Sequence, residues 1–539
     1  MSLALHGTSG LLAAYVAAQA PLITALWQAR APARRLLLAP LAALPVTVFA
    51  GATLAGGSVL AQAYGLGAGL GELAGVGLTA SLGYATGRWL ARGSATATHR
   101  RGALLAPAPR AAARVRAGLT LGGVALQEAD ESKHFKLIGT TGTGKSTAIQ
   151  ELLGGALARG DRVVVADPDG GYLRRFFDAG RGDAVLNPFE PGSARWDLFG
   201  EIDTDYDVEQ LARSLIPDHD GADRSWRGYA RTFFSSVASQ AHAAGSRDVR
   251  ELYRLLVVAG TTELRTLVAG TPAQPFLEEH NGRMFDSIRS VTSSAVGALE
   301  YVARQQAAPL AVRGWVREPA AGRALFLPYR AGQIAALRSM ISAWMRLAIF
   351  EAMHSEERRQ RLWFVVDELD ALGQIDGLKD ALARLRKFGG RCVLGFQSVA
   401  QVSSTYGSGE ANTLLENCGN TLILRCSAGE HGGTSLFASR LVGEREVLRT
   451  LRSRSHQPGR LFASVTHSEQ LSTEPALMAA EIEQLPDLRG YLKLASQPHW
   501  QPVRLHPPPP PHRLRAATHD RCAAAHAPRL EAEQGAEHG

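Results

Sequence analysis

Gly139-Thr140-Thr141-Gly142-Thr143-Gly144-Lys145-Ser146 has the spacing of a phosphate-binding loop, and that motif constrains the surrounding chain more than any other feature. It needs a buried strand before it and a helix after it. His134 to Ile138 supplies a short β-type run, and Ala148 to Leu157 is rich in helix-forming residues. Glycines allow the tight backbone path that turns N–H groups toward phosphate, and the helix N-terminus adds a favourable dipole. Residues Gly139 to Ser146, with Thr147 after them, are therefore the candidate nucleotide cradle. Within it Lys145 is placed to reach the β/γ-phosphates and Ser146 to offer a hydroxyl to Mg²⁺.

A nucleotide-hydrolysing site also needs a strand ending in acids. Leu362-Trp363-Phe364-Val365-Val366-Asp367-Glu368 provides one, apolar throughout as in a parallel sheet covered on both faces. Asp367 is the candidate Mg²⁺ ligand beside Ser146, and Glu368 the candidate group that polarises the attacking water. An acid pair at a strand end is weak evidence alone and strong evidence beside a phosphate loop. ATP with Mg²⁺ is the expected substrate and cofactor.

Charge has to be located before it means anything. The 539 residues carry a net charge of +8, but the segment up to Arg116 holds ten Arg and one Glu, so the remainder is close to neutral. Overall basicity is thus no argument for nucleic-acid binding, which would have to come from local patches. The four cysteines, Cys392, Cys418, Cys426 and Cys522, have no metal-type spacing and suit a reducing compartment.

The basic N-terminal segment is otherwise uncharged over long stretches. Leu36 to Tyr64 has no charge, and Leu66 to Ala91 has only Glu72 and Arg88. Both exceed the ~20 residues that cross a bilayer, which predicts two transmembrane helices at about 36–64 and 66–91. A third span at 11–29 is open, interrupted by Gln19, Pro21 and Gln28. Arginines at 30, 34 and 35 and at 88, 92, 100 and 101 flank the two spans and predict cytoplasmic flanks. A Gly/Ala-rich buried hairpin is the alternative.

Residues 1–99 are accordingly expected to be a membrane anchor, and 100–130 a basic linker entering the core. Residues 131–195 read as the first part of a nucleotide-binding domain and 323–500 as the second, with strands expected at 162–166, 324–327, 362–366, 391–396 and 421–425. Between them, 196–322 shows helical periodicity without a buried strand, which predicts an all-α insertion. The fold expected is α/β with a mostly parallel sheet. Residues 501–539, with Pro507 to Pro511, read as a disordered tail. Asp167, ending the strand 162–166, has two readings, a group at the nucleotide edge or an ordinary turn acid.

Asp376 to Lys387 predicts a helix stopped by Gly389-Gly390, with Leu378, Leu382 and Leu385 on the face that packs on the sheet. Arg384 has a local partner in Asp380 at i,i+4, whereas Arg386 has none at that spacing. Taken as lying beside the carboxyl edge of the sheet, Arg386 is a candidate arginine finger for a neighbouring subunit, or else a solvated arginine. Gln397, at the end of the next strand, is placed to sense the γ-phosphate or orient water, or else is a strand-end hydrogen bonder.

At this point the segments GTTGTGKSTAIQELL, RVVVADPDGGYLRRF, LNPFEPGSARWDLFGEI, RLWFVVDELDALGQIDGLKDALARLRKFGGRCVLGFQSVAQV and AEIEQLPDLRGYLKL together resemble the coupling proteins of type IV secretion systems, the TraD and TrwB kind. The likeness runs in order from about Glu131 to Pro498. It implies a RecA-like P-loop ATPase, stimulated by DNA and assembled as a homo-hexamer. It also implies an inner-membrane location with cytoplasmic ATPase domains. The implied partners are DNA, as a single transfer strand and as duplex, the relaxase or relaxosome, and the secretion channel. By the same likeness Arg386 takes the arginine-finger position and Gln397 the glutamine position. Two other expectations stand beside this one: a translocase of the FtsK or HerA type, which would lack the insertion at 196–322, and a membrane receptor for secreted proteins that does not translocate DNA.

Overall fold

The computed structural model describes residues 8–28, 31, 35–49, 68–91, 97–106, 118–218, 223–354, 361–429, 432–455 and 464–507. These fall into two compact units. One comprises residues up to Arg101 together with Glu446–Glu474, and the other Gly102–Arg445 with Pro475 onward.

The larger unit is built on a nine-stranded sheet. Its strands are β1 (Phe135–Ile138), β2 (Arg162–Pro168), β3 (Ala184–Val185), β4 (Ala324–Tyr329), β5 (Leu362–Val366), β6 (Gly390–Phe396), β7 (Asn420–Ile423), β8 (Arg489–Lys493) and β9 (Gln501–Arg504). The spatial order is β9-β8-β7-β1-β6-β5-β2-β4-β3. From β7 to β3 every neighbouring pair is parallel, and β8 and β9 join antiparallel. Alternate residues of the central strands enter two separate cores. Val163, Val165, Trp363, Val365 and Val393 pack with Ile149 and Leu152 of the helix Lys145–Ala158. Val164, Ala166, Phe364, Val366 and Leu394 pack with the helices Ile334–Ala352 and Leu378–Leu385. The apolar strands thus have both faces covered, as their sequence predicts.

Strand β9 corrects the expected disordered tail at its start. Gln501–Arg504 pairs with β8, and only Val503 of its side chains is buried, so the edge strand leaves no alternating apolar signature. Residues 508–539, including Cys522, lie outside the described residues.

From Asp205 to Arg317 the elements are helices and short helical turns, apart from Pro309–Leu310. That dipeptide pairs in parallel with Arg195–Trp196 and closes the neck of the region. Buried Glu201 braces the same neck, accepting from Trp196 Nε1 at 2.8 Å and from the backbone N–H groups of Val312 at 2.6 Å and Arg313 at 2.9 Å. Burial pushes the Glu201 carboxyl up to about 7.

The smaller unit contains the helices Thr8–Gln28, 35–49 and Ala68–Ala91, and a sheet of Ala97–Gly102, Glu444–Ser455 and Ser464–Pro475. A side chain at Gly83 would meet Ala18 O at 2.2 Å, and one at Gly87 would meet Leu22 O at 2.6 Å. The first and third helices therefore touch along small residues and run in the same direction. Among the described residues no helix is long and apolar enough to cross a membrane. The spans expected at 11–29 and 66–91 are corrected accordingly, while the one expected at 36–64 lies outside the described residues from 50 onward. Being uncharged is not being apolar: Ala68–Ala91 carries six glycines besides Glu72 and Arg88, and 50–67 lies outside the described residues.

Candidate active site

The phosphate loop follows β1, and its curvature rests on two glycines with positive φ, Gly142 at 78° and Gly144 at 119°. Thr140 N–H donates to Arg425 O at 2.9 Å and Gly139 N–H to Phe396 O at 3.3 Å, which pins the loop between β6 and β7. Its far side is held by the antiparallel end of the sheet. Leu488, at φ 62°, donates its N–H to Thr143 O at 2.9 Å, and its side chain faces Gly144. The short strands β8 and β9 thus act as a brace for the loop.

Lys145 is buried inside the loop's curve, its Nζ donating to Gly139 O at 2.6 Å and Thr140 O at 3.2 Å. Burial lowers its pKa, while Asp367 and Glu368 oppose that shift. Ser146 Oγ donates to Asp367 Oδ2 at 2.8 Å. The other carboxylate oxygen, Oδ1, is buried and has no hydrogen-bond partner. A buried, unpaired carboxylate oxygen beside a serine hydroxyl is a donor set suited to a hard cation such as Mg²⁺.

Glu368, the next residue, accepts from Gln397 Nε2 at 2.9 Å, and Gln397 Oε1 accepts from Thr141 Oγ1 at 2.8 Å. Burial raises the Glu368 pKa, and neighbouring Asp367 adds to the rise. β6 lies between β1 and β5, so Gln397 emerges between the phosphate loop and the acids. The loop, Lys145, Ser146, Thr147, Asp367, Glu368 and Gln397 surround one cleft of about 330 Å³.

Tyr172 also lines this cleft, and no motif in the sequence singled it out. Its hydroxyl donates to Asp367 Oδ2 at 2.6 Å. Asp167 sets its position: the carboxylate accepts from the N–H groups of Tyr172 at 3.1 Å and Leu173 at 2.7 Å, capping the helix Gly171–Phe176. Of its two readings, Asp167 is the turn acid, one hydrogen bond away from Tyr172 of the cleft. The only sequence signal for Tyr172 was its place just after the strand-exit turn Asp167-Pro168-Asp169-Gly170-Gly171.

Arg386 stands elsewhere. The helix Leu378–Leu385 crosses back antiparallel to β5, so Arg386 lies just before Gly390, which pairs with Leu362 at the start of β5. This is the amino edge of the sheet, opposite the phosphate loop and Asp367, and it corrects the expected placement at the carboxyl edge. Arg386 is exposed there and is not part of its own chain's cleft. Among the described residues no group of His, Cys, Asp and Glu forms a further metal cluster, and Cys392, Cys418 and Cys426 are free and buried.

The family described as type IV secretion-system coupling protein DNA-binding domain matches residues 118–506, which is most of the chain and includes every residue of the cleft. The chain belongs to this family. It is 31% identical over 382 residues to the coupling protein TraD of Escherichia coli (strain K12), covering 70% of this chain and 53% of TraD. The chain thus spans about half the length of that relative. Among solved structures it is similar to the plasmid coupling protein TrwB in complex with ADP and Mg²⁺, with a TM-score of 0.64, 31% identity, and coverage of 72% of this chain and 89% of the other. It is likewise similar to TrwB in complex with an ATP analogue, with a TM-score of 0.67, 29% identity, and coverage of 76% and 95%. These likenesses and the large parallel sheet together give an α/β NTPase fold.

Proposed function

We propose that this coupling protein is a DNA-stimulated ATPase that moves the transfer strand from a relaxase-bound substrate into a type IV secretion channel. The observation that carries the ATPase half is the Ser146–Asp367–Glu368–Gln397 constellation around one phosphate loop. The TrwB complexes with ADP and Mg²⁺ and with an ATP analogue support the choice of ligands. The DNA half rests on the family description and the TraD likeness.

In this reading the glycine-rich loop and Lys145 hold the β- and γ-phosphates of ATP. Ser146 and Asp367 hold Mg²⁺, which when bound neutralises charge on the phosphate oxygens. Glu368 accepts a proton from the attacking water, and Gln397 fixes the Glu368 carboxylate through the 2.9 Å hydrogen bond. Arg386 completes a neighbour's site in a homo-hexamer, which its exposure on the edge opposite its own cleft supports.

The residues up to about 101 belong, in this proposal, at the inner membrane, leaving the ATPase core in the cytoplasm. Support comes from the inverted surface of these helices. Ala18, Ala25, Ala39 and Ala43 are buried, while Val16, Trp27, Leu37, Leu41, Phe49 and Trp89 are exposed. Leu22 and Leu26 are buried beside these alanines, and an exterior that still carries so many large apolar side chains suits lipid contact.

The test is turnover of the full chain in lipid nanodiscs, with and without single-stranded DNA of unrelated sequences. The expected result is ATP hydrolysis that rises with DNA of any sequence and weakens with salt. Turnover indifferent to DNA, or a strong preference for one duplex sequence, would reject the translocase reading.

A further inference from the structure

Arg346 has all five of its N–H groups engaged. Nε donates to Asp376 O at 3.1 Å, one terminal nitrogen to Gln210 O at 3.2 Å and Ser214 Oγ at 3.0 Å, and the other to Gln210 Oε1 at 2.9 Å. That last nitrogen also lies 3.3 Å from Asp376 Oδ2. The guanidinium sits 4.4 Å from the ring centroid of Phe350, whose edge fills the space that a side chain at Gly377 would occupy. The side chain is 5% exposed, so none of this is incidental surface contact. A buried guanidinium with every donor used holds its partners in one relative geometry.

Those partners come from two different places. Gln210 and Ser214 lie on the helix Asp205–Leu215, in the helical region between the two parts of the sheet. Asp376 ends the loop that begins directly after Glu368. The same loop is held by the helix of Arg346 at Leu372, whose carbonyl accepts from Ser342, and by Tyr406, whose hydroxyl accepts from Ile375 N–H at 3.2 Å. Leu369 N–H donates to Gly395 O at 3.0 Å, two residues before Gln397. The loop is therefore tied at one end to the acid and glutamine pair and at the other to Arg346.

We infer that Arg346 is a positioning residue that couples the helical region to the catalytic acid, so that a shift of the helix Asp205–Leu215 is transmitted through Asp376 to the loop that sets Glu368. The inference rests on the DNA-stimulated ATPase reading for its biological meaning. It assigns the transmission of that stimulation to a single two-sided contact.

The test compares the full wild-type chain with Gln210→Ala/Ser214→Ala, which removes both side-chain acceptors on one side of the contact and leaves only the Gln210 carbonyl, and Asp376→Asn, which weakens the other. Basal kcat and KM for ATP should stay within about twofold of wild type, while the stimulation by single-stranded DNA should fall by about 2- to 30-fold, the range of coupling such contacts carry. The combined triple variant should lose no more than either parent. Arg346→Lys should keep the fold and the basal rate but lose stimulation, since an ammonium has three donors for five acceptors. An unchanged stimulation ratio, or basal and stimulated rates falling in equal proportion, would overturn the inference. Hydrogen exchange with a non-hydrolysable ATP analogue and no DNA separates this from the functional reading. Nucleotide should alter exchange at both 370–377 and 205–215 in the wild type, and only at 370–377 in Gln210→Ala/Ser214→Ala. If the wild-type chain is not stimulated by DNA, the functional reading fails, and the exchange result still decides whether the two segments are coupled.

Discussion

Gln397 holds Glu368 by donating Nε2–H to its carboxylate at 2.9 Å, and is itself held by the Thr141 hydroxyl at 2.8 Å. The phosphate loop and Glu368, the proposed water-activating acid, are thereby joined through one amide side chain. Glu368→Gln should bind ATP normally and lose turnover on the order of 10²–10⁴-fold, the usual worth of a general base. Gln397→Ala leaves the acid in place but unaimed, so its loss should be smaller and confined to kcat. Equilibrium binding of an ATP analogue and single-turnover hydrolysis check both. Equal loss of binding and turnover in either variant would contradict the assigned roles.

His134 predicts a pH effect on stability. It precedes β1 at φ 57°, accepts from Cys392 N–H at Nδ1 (3.0 Å) and donates from Nε2 to Leu382 O (3.0 Å). Burial pushes its pKa down to about 4, with Arg391 and Arg386 adding to the drop and the Leu382 hydrogen bond opposing it. The unfolded chain takes up this proton near pH 6.5 and the folded chain only near pH 4. The contribution is therefore complete above pH 6.5 and is lost as pH falls toward 4, by about 2 kcal/mol between pH 7 and 5. Asp167 and Glu201, buried with raised pKa values, push stability the other way, so the comparison must be between variants. His134→Asn tolerates the positive φ and keeps an acceptor for Cys392. Denaturant midpoints of wild type and His134→Asn should converge as pH drops from 7 to 5, and a constant gap would refute the assignment.

Much of this site was legible because its parts have fixed spacing. The phosphate loop and the apolar run into Asp367 and Glu368 mark themselves, since buried parallel strands must be apolar on both faces. β8 did not, because its sequence RGYLK buries only Gly490 and Leu492. Gly490 is there for closeness, as a side chain would meet Ile423 O at 2.3 Å. Tyr172 was hidden because its role comes from a capped turn and not from a motif. The misplaced edge of Arg386 came from treating a helix end as near the strand end before it, when a crossover helix returns to the start of the next strand.

At the amino edge Glu131 joins two arginines. It accepts from Arg159 at 2.7 and 2.8 Å and from Arg391 at 3.1 Å, with Glu131 1% exposed and Arg391 4%. Removing the carboxylate leaves Arg159 with Asp161 but leaves buried Arg391 with only the exposed Glu128, 3.7 Å away. Glu131→Ala should cost about 3–5 kcal/mol, the cost of breaking a buried pair by removing one partner. Because this network lies opposite the phosphate loop, ATP affinity per folded molecule should be preserved. Calorimetric unfolding and analogue titration check the two halves, and a stability loss under about 1 kcal/mol would mean that water reaches the network.

Arg386 is exposed at the amino edge of the sheet, whereas Lys145, Asp367 and Glu368 surround the cleft at the carboxyl edge of the same chain. If Arg386 acts in trans, each complete interface takes the acids from one chain and the arginine from the next. Arg386→Ala and Glu368→Gln should then each be nearly inactive, since a finger contributes on the order of 10³–10⁵-fold to rate. In a mixed ring, an Arg386→Ala chain still offers its Glu368, and an adjacent Glu368→Gln chain offers its Arg386. That interface has every catalytic group. Mixing the two inactive proteins before assembly should therefore restore part of the DNA-stimulated ATPase, and a cis arginine would leave no complete interface anywhere. Continued inactivity, with mixed rings demonstrated by cross-linking and with sites that fire independently, would reject the shared site.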